Sequence, residues 1–298
     1  MRPFITQLKQ REKIKREMMK GKEMKYSMLA FDLDGTLTTS EKKITAETKK
    51  KIQRAGKEGA AVVLASGRPM SGMDFLADEL ELDQYNGYLM AYNGGRIVRC
   101  KDQQLVNNVL LNPDFYKTII DVATCYGINI MTYNDFLENK ASENCIWTNK
   151  EDASMHMEAR NCKLEIKEVP DLLAVMDRPV NKMVGAGQPE KLKEMLPVLQ
   201  KELNNEVGLY FSESCFMEIV PLGISKDTGL KVLLEQLNLD ATELMAFGDG
   251  LNDLTMLKYA GLGVAMENAY PEAKDAANVI TSSNDEEGIS KALAKYFF

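Results

Sequence analysis

Residues 28–37 read Met28-Leu29-Ala30-Phe31-Asp32-Leu33-Asp34-Gly35-Thr36-Leu37, or MLAFDLDGTL. The unbroken apolar start predicts a strand with both faces buried, as in a parallel sheet. Two aspartates at i and i+2 follow, and then a glycine. Carboxylates are disfavoured in strands, and the two-residue period would set both on one face, where like charges repel. The strand therefore stops where the acidic pair begins, and Gly35 frees the turn. An EF-hand calcium loop is excluded, because Thr36, Leu37 and Lys43 stand where it needs Asp or Asn, Gly and Glu.

Outward from this stretch, strand-like and helix-like segments alternate, the pattern of an α/β layer fold. A helix is expected over 45–58, capped by Thr45 and stopped by Gly59, then a strand over 60–65 (AAVVLA). The loop SGRP, a helix over 69–80 and a strand over 87–91 ending in YNGG come next, then a hairpin over 96–100 and 104–110. The far end repeats the style, with helices over 226–237, 252–259 and 271–277 and strands over 243–248, 261–266 and 277–281. Together the two ends predict a Rossmann-like parallel sheet with helices on both faces.

Between them the pattern shifts. A helix over 113–126 leads to strands over 128–133 and 145–148, followed by short helical pieces. A strand over 182–186, a helix over 189–203 and strands over 207–211 and 215–220 complete the segment. This predicts an α+β insertion with its own open sheet. The expected organisation is a basic extension (1–25), a core (26–110 and 221–298) and a cap (111–220). Tyr133, Phe136, Trp147, Met155 and Met183 in the cap read as core.

Composition narrows the classes. The chain has 298 residues, 45% hydrophobic and 27% charged, with a net charge of −7. Residues 1–25 hold nine Lys/Arg and three Glu, so the remainder is more acidic still. An acidic body argues against a nucleic-acid partner, since phosphate backbones reward Lys and Arg. The basic start lacks the apolar core of a signal peptide. No run approaches the about 20 apolar residues that cross a bilayer, so no membrane partner is expected. The five cysteines (Cys100, Cys125, Cys145, Cys162, Cys215) form no CxxC pair and read as reduced thiols in a cytoplasmic protein. His156 is the only histidine, too few for a multi-His zinc site, and no nucleophile lies near it in sequence.

Four places put polar groups just past an apolar strand: Asp32 and Asp34 in FDLDGT, Ser66 in LASGRP, Lys226 in GISKDTGL, and Asp249 with Asp253 in FGDGLND. Carboxyl ends of parallel strands share one edge, so these sites can meet. Four carboxylates without histidine call for a hard divalent cation, Mg²⁺ above all. A lysine, a hydroxyl and loop N–H groups beside it make an inventory for a phosphoryl group. With no activated serine or cysteine, the nucleophile is an aspartate. Mg²⁺ and Lys226 would offset the repulsion between Asp32 and phosphate. Asp34 could protonate the leaving oxygen and later take a proton from water.

These four strings, in this order, resemble the motifs of the haloacid dehalogenase superfamily over residues 26–298. The insertion, YNGG and GISKDTGL are similar to the type IIB cap and core of Cof-like phosphatases. The resemblance implies Asp32 as nucleophile and Asp34 as general acid/base. It implies Mg²⁺ on Asp32, the Asp34 carbonyl and Asp249, with Asp253 nearby. Phosphate would be held by the Leu33 and Gly67 backbone, Thr36, Ser66, Lys226 and Asn252, with Arg68 and Asn93 beside the leaving group. The chain departs in Asp227-Thr228-Gly229, where a glycine usually follows the lysine, and in Leu251, often polar in the subgroup. The implied activity is hydrolysis of a small phosphorylated metabolite, a sugar phosphate or similar monoester. A phosphotransferase or phosphomutase resembling phosphomannomutase, and a non-enzymatic phosphate or metal sensor, stay open. Neither the substrate nor the oligomeric state is legible.

Overall fold

The computed structural model describes residues 25–136 and 143–298. The basic extension, apart from Lys25, lies outside the described residues. Two sheets are present. The first has eight strands: β1 (Met28–Phe31), β2 (Ala61–Ala65), β3 (Asn86–Ala91), β4 (Arg96–Arg99), β5 (Gln104–Asn108), β12 (Leu244–Gly248), β13 (Leu262–Ala265) and β14 (Val279–Ile280). Their order is β14-β13-β12-β1-β2-β3-β4-β5. Pairing is parallel from β14 to β3 and antiparallel through β4 and β5.

All residues of β1, β2, β12 and β13 are buried because helices cover both faces. Leu29, Phe31, Val62 and Leu64 pack with Ile52, Leu76 and Leu293 on one side. Met28, Ala30, Val63 and Ala65 pack with Leu230, Leu233 and Met256 on the other. Phe31 lies opposite both Leu64 and Phe247 in register, and its ring stacks on that of Phe247 at 4.9 Å. Three strands thus end level, which brings Asp32, Ser66 and Asp249 to one edge.

The second sheet holds β6 (Asn129–Asn134), β7 (Cys145–Thr148), β8 (Glu165–Glu168), β9 (Met183–Ala186), β10 (Val207–Glu213) and β11 (Phe216–Pro221), ordered β10-β11-β9-β6-β7-β8. It is antiparallel except for β7 with β8. Alternation divides its side chains. Ile130, Met183, Met217 and Ile219 pack on Ile119, Leu192 and Leu199, from the helices Tyr116–Tyr126 and Pro189–Glu202. Met131, Tyr133, Val184 and Phe216 face the other way and join the first sheet's core. Phe136 and Trp147 pack, partly buried, against the helix-side cluster, and Met155 is buried.

Two expectations are corrected. The helix expected over 69–80 is a 3₁₀ turn, Met70–Gly72, and a separate helix, Asp74–Glu79. Asp135 holds the turn's first amides, and Gly72 packs close to the Cys162 side chain, where a Cβ would lie at 3.1 Å. Among the expected helical pieces after residue 148 lies a strand, β8. In its sequence EIKE only Ile166 favours a strand; pairing with β7 decides it. No helix of the described residues is long and apolar enough to cross a membrane.

Candidate active site

Beyond the level ends of β1 and β12, the chain collects carboxylates around one lysine. Lys226, first residue of the helix Lys226–Leu237, is fully buried. Its ammonium donates to Asp32 Oδ1 and, at 2.6 Å, to Asp253 Oδ1. Asp253 Oδ2 accepts from the Asp249 and Gly250 amides, each at 2.9 Å. Thr36 donates to Asp249 Oδ1 at 2.5 Å. Burial pushes the Asp32 carboxyl well up, Asp253 adds to this, and Lys226 opposes it. Burial likewise raises Asp249 to about 6. Burial would lower the Lys226 ammonium, but Asp253 and Asp32 outweigh it and hold it above its usual value.

Asp32, Asp249 and Asp253 each offer an oxygen, all within 4.8 Å of one another. Three carboxylates against one ammonium leave a deficit of two positive charges, the charge of a divalent ion, and an all-oxygen donor set suits a hard one. Both Asp253 oxygens are already engaged, whereas Asp32 and Asp249 are hydrogen-bonded through Oδ1 alone. Gly35 keeps that space open. It sits at φ +79°, and a Cβ there would fall 2.3 Å from Asp249 Oδ2. The residues fit a divalent cation.

Asp34 stands apart from this group. Arg68 grips it through two parallel bonds, Nε to Oδ2 at 2.9 Å and Nη2 to Oδ1 at 2.6 Å, and Lys42 adds a third at 2.7 Å. Burial would raise Asp34, yet Arg68 and Lys42 together hold its carboxyl below the usual range. Lys42, on an exposed turn, had no sequence signal.

The loop after β2 carries the remaining polar groups. Ser66 is buried and its Oγ accepts from the Arg68 amide at 3.2 Å. Gly67 packs on the Asn93 amide, where a Cβ would lie 3.2 Å from Nδ2. Asn93 is buried within YNGG, and both Tyr92 and Asn93 adopt positive φ. Asn252 is exposed and donates to Asn93 Oδ1 at 3.1 Å. The Leu33 side chain is buried, and its carbonyl accepts from Thr38 N at 2.9 Å. The structure thus gathers Asp32, Asp249, Asp253, Lys226 and Thr36 in one group. Ser66, Gly67, Arg68, Asn93 and Asn252 form a second, joined to the first sheet's edge through Asp34.

Side chains on and beside the second sheet reach the second of these groups, and they went unforeseen. Lys182 donates to the Gly67 carbonyl at 3.0 Å and pairs with Glu218 at 2.8 Å. Tyr210 OH accepts from Asn93 at 2.8 Å. Asp135 accepts from the Met70 and Ser71 amides and from Tyr92 OH, while the Arg68 guanidinium donates to the Asn161 carbonyl at 2.7 Å. A signal did exist. A glutamate inside the apolar strand FMEIVP breaks the same rule as the opening aspartates, and it asks for a buried partner. His156 pairs with Glu151 on an exposed surface. The five cysteines are free thiols.

Comparison with known proteins agrees with this geometry. The family profile described as haloacid dehalogenase-like hydrolase matches residues 29–293. A 5-amino-6-(5-phospho-D-ribitylamino)uracil phosphatase of Bacillus subtilis, YcsE, is 30% identical over 267 residues, covering 89% of this chain and 94% of its own. The crystal structure of a haloacid dehalogenase-like hydrolase from Bacteroides thetaiotaomicron superposes with a TM-score of 0.85 at 35% identity, covering 92% of this chain and all of the other. The HAD subclass IIB sugar phosphatase BT4131, 22% identical with a TM-score of 0.73, shares the fold over 91% of this chain and 98% of its own.

Proposed function

The chain belongs to the haloacid dehalogenase-like hydrolases, and on that premise we propose that it is a Mg²⁺-dependent phosphatase of a small phosphorylated metabolite, working in the cytoplasm through an aspartyl-phosphate. The observation that carries this reading is the convergence of Asp32, Asp249 and Asp253 on the single buried Lys226. Asp32 and Asp249 would hold Mg²⁺, with Asp253 behind them. When bound, the ion neutralises charge between carboxylate and phosphate and polarises the phosphoryl oxygens.

Asp32 attacks phosphorus, and the bond to the leaving oxygen breaks as that oxygen takes a proton from Asp34. Water then attacks the aspartyl-phosphate and returns a proton to Asp34, freeing Asp32 and inorganic phosphate. Ser66, Thr36, Lys226, Asn252 and the Leu33 and Gly67 amides hold the phosphate oxygens. With Arg68 and Lys42 in place Asp34 is ionised, the form that serves the second half. Donation in the first half requires it to exchange those partners. Residues 26–110 and 221–298 form the catalytic body, and 111–220 the cap that excludes bulk water.

The leaving group is read as polar and uncharged, such as a sugar or polyol. Most cations around the site are already engaged: Arg68 and the half-exposed Lys42 share Asp34, Lys182 pairs with Glu218 and Arg96 with Asp135. Asn93, Tyr210 and Asn252 supply hydrogen-bonding groups instead. Relatives named as a ribitylaminouracil phosphatase and a sugar phosphatase fit this reading.

The test is release of inorganic phosphate from p-nitrophenyl phosphate and a panel of sugar phosphates, without an added acceptor. Turnover should require Mg²⁺, stop with chelator, and fall about 10⁴-fold or more in Asp32→Asn. Mg²⁺-dependent turnover that survives Asp32→Asn would sink the mechanism, and activity only with an added acceptor would mean transfer rather than hydrolysis.

A further inference from the structure

The loop that follows β2 is held by three consecutive carbonyls. Ser66 O accepts from Asn93 N at 2.8 Å and Arg68 O from Tyr92 N at 3.0 Å, both from the YNGG turn of the same sheet. The middle carbonyl, Gly67 O, accepts from Lys182 Nζ at 3.0 Å, a residue of the second sheet 115 positions away. Gly67 C=O and Arg68 N–H belong to one peptide unit, which is planar and rigid. Its N–H donates to Ser66 Oγ at 3.2 Å. A hydroxyl that accepts this bond must turn its own proton away from that amide.

We propose that Lys182 is a positioning residue: by fixing the Gly67–Arg68 peptide plane it orients the Ser66 hydroxyl, so that seating of the second sheet sets the loop that holds phosphate. This rests on the phosphatase reading above.

The lysine is built for one position. Its side chain is buried and its ammonium pairs with Glu218 at 2.8 Å. Glu218 is itself held through Oε1 by Ser212 Oγ at 2.8 Å. The rings of Tyr133 and Tyr92 lie 5.1 and 6.0 Å from the ammonium. A lysine with one buried counter-ion and one carbonyl acceptor has little freedom to meet varied leaving groups. Asp135 grips the same loop further on, through the Met70 and Ser71 amides at 2.7 and 3.1 Å. The second sheet thus contacts this loop at two points, once as donor and once as acceptor.

The discriminating measurement compares ligands that share phosphate and differ in the leaving group: p-nitrophenyl phosphate, glucose 6-phosphate and, as inhibitor, inorganic phosphate. Lys182→Met should lower kcat/KM about tenfold for both esters alike and weaken inhibition by inorganic phosphate by a similar factor. Lys182→Arg, which keeps donor and charge, should recover most of the loss. In a Ser66→Ala background the Lys182→Met effect should largely vanish, because the lysine acts through that hydroxyl. Unequal losses between the esters with unchanged phosphate inhibition would overturn the inference and make Lys182 a leaving-group contact. Full additivity with Ser66→Ala would overturn it as well. Because Lys182→Met strands Glu218, the neutral pair Lys182→Met/Glu218→Gln is measured beside it and should show the same pattern. A wild-type protein inactive on every monoester would strike the phosphatase reading instead. Calorimetric binding of inorganic phosphate to wild type and Lys182→Met would then still decide the role of Lys182.

Discussion

Two lysines are buried, one beside each sheet, and their surroundings differ in a single count. Lys226 serves Asp32 and Asp253 directly, with Asp249 beside them, so carboxylates outnumber the ammonium three to one. Lys182 has one close carboxylate, Glu218, and donates also to a backbone carbonyl. Each lysine is held charged, because nearby carboxylates outweigh burial. The first arrangement is short of positive charge and invites a cation; the second is closed. A buried lysine therefore marks chemistry or architecture according to the charge left over around it, since unpaired charge in a low-dielectric interior is what demands a ligand.

That contrast can be broken by removing each lysine. Lys226→Met leaves Asp32 and Asp253 buried without a counter-ion, and metal-free protein should lose about 3–5 kcal/mol in urea unfolding. The neutral pair Lys182→Met/Glu218→Gln leaves no stranded charge and should change stability by less than about 2 kcal/mol. Equal losses would mean that the count of charges does not distinguish the two regions.

A finer test perturbs only the charge-deficient side. In Gly35→Ala the new Cβ meets Asp249 at φ +79°. Mg²⁺ affinity by calorimetry should fall about 10–100-fold while far-UV circular dichroism stays unchanged. Unaltered affinity would show that Asp249 does not face the ion.

The smallest expected effect comes from pH. Burial raises Asp249 to about 6, so below that value a proton occupies the group the ion needs. Protons and metal compete. Mg²⁺ affinity should therefore rise as pH climbs through about 6, with a slope of up to about tenfold per pH unit from this group, and the raised Asp32 carboxyl adds to the rise. A flat profile between pH 5 and 7 would remove Asp249 from the ligand set.

Much of the catalytic edge was legible because its signals are local. Asp32, Ser66 and Asp249 each follow an apolar run by one or two residues, and a strand's end is written in its own few residues and the turn after it. Lys226 was legible only in company, as one of four strings in order. On the second sheet the signals are isolated. Lys182 precedes MVGA and Glu218 interrupts FMEIVP, yet neither names its partner. Lys42 reads as one more solvated loop lysine. The helix expected over 69–80 failed for a related reason: Asp135, just past β6, takes the amides of Met70 and Ser71 from outside.

By itself, then, the sequence determined the parallel core, the inserted second sheet and the acidic residues at the strand ends, because hydrophobic period and turn chemistry act over a few neighbouring residues. Only the tertiary structure decided which charges stay unpaired. It matched Arg68 to Asp34 and Lys182 to Glu218, set Asp253 behind Lys226, and left Asp32 and Asp249 short of positive charge. Charge balance in a buried site depends on distances of a few ångströms between residues far apart in the chain, and those distances exist only once each sheet and its loops have folded.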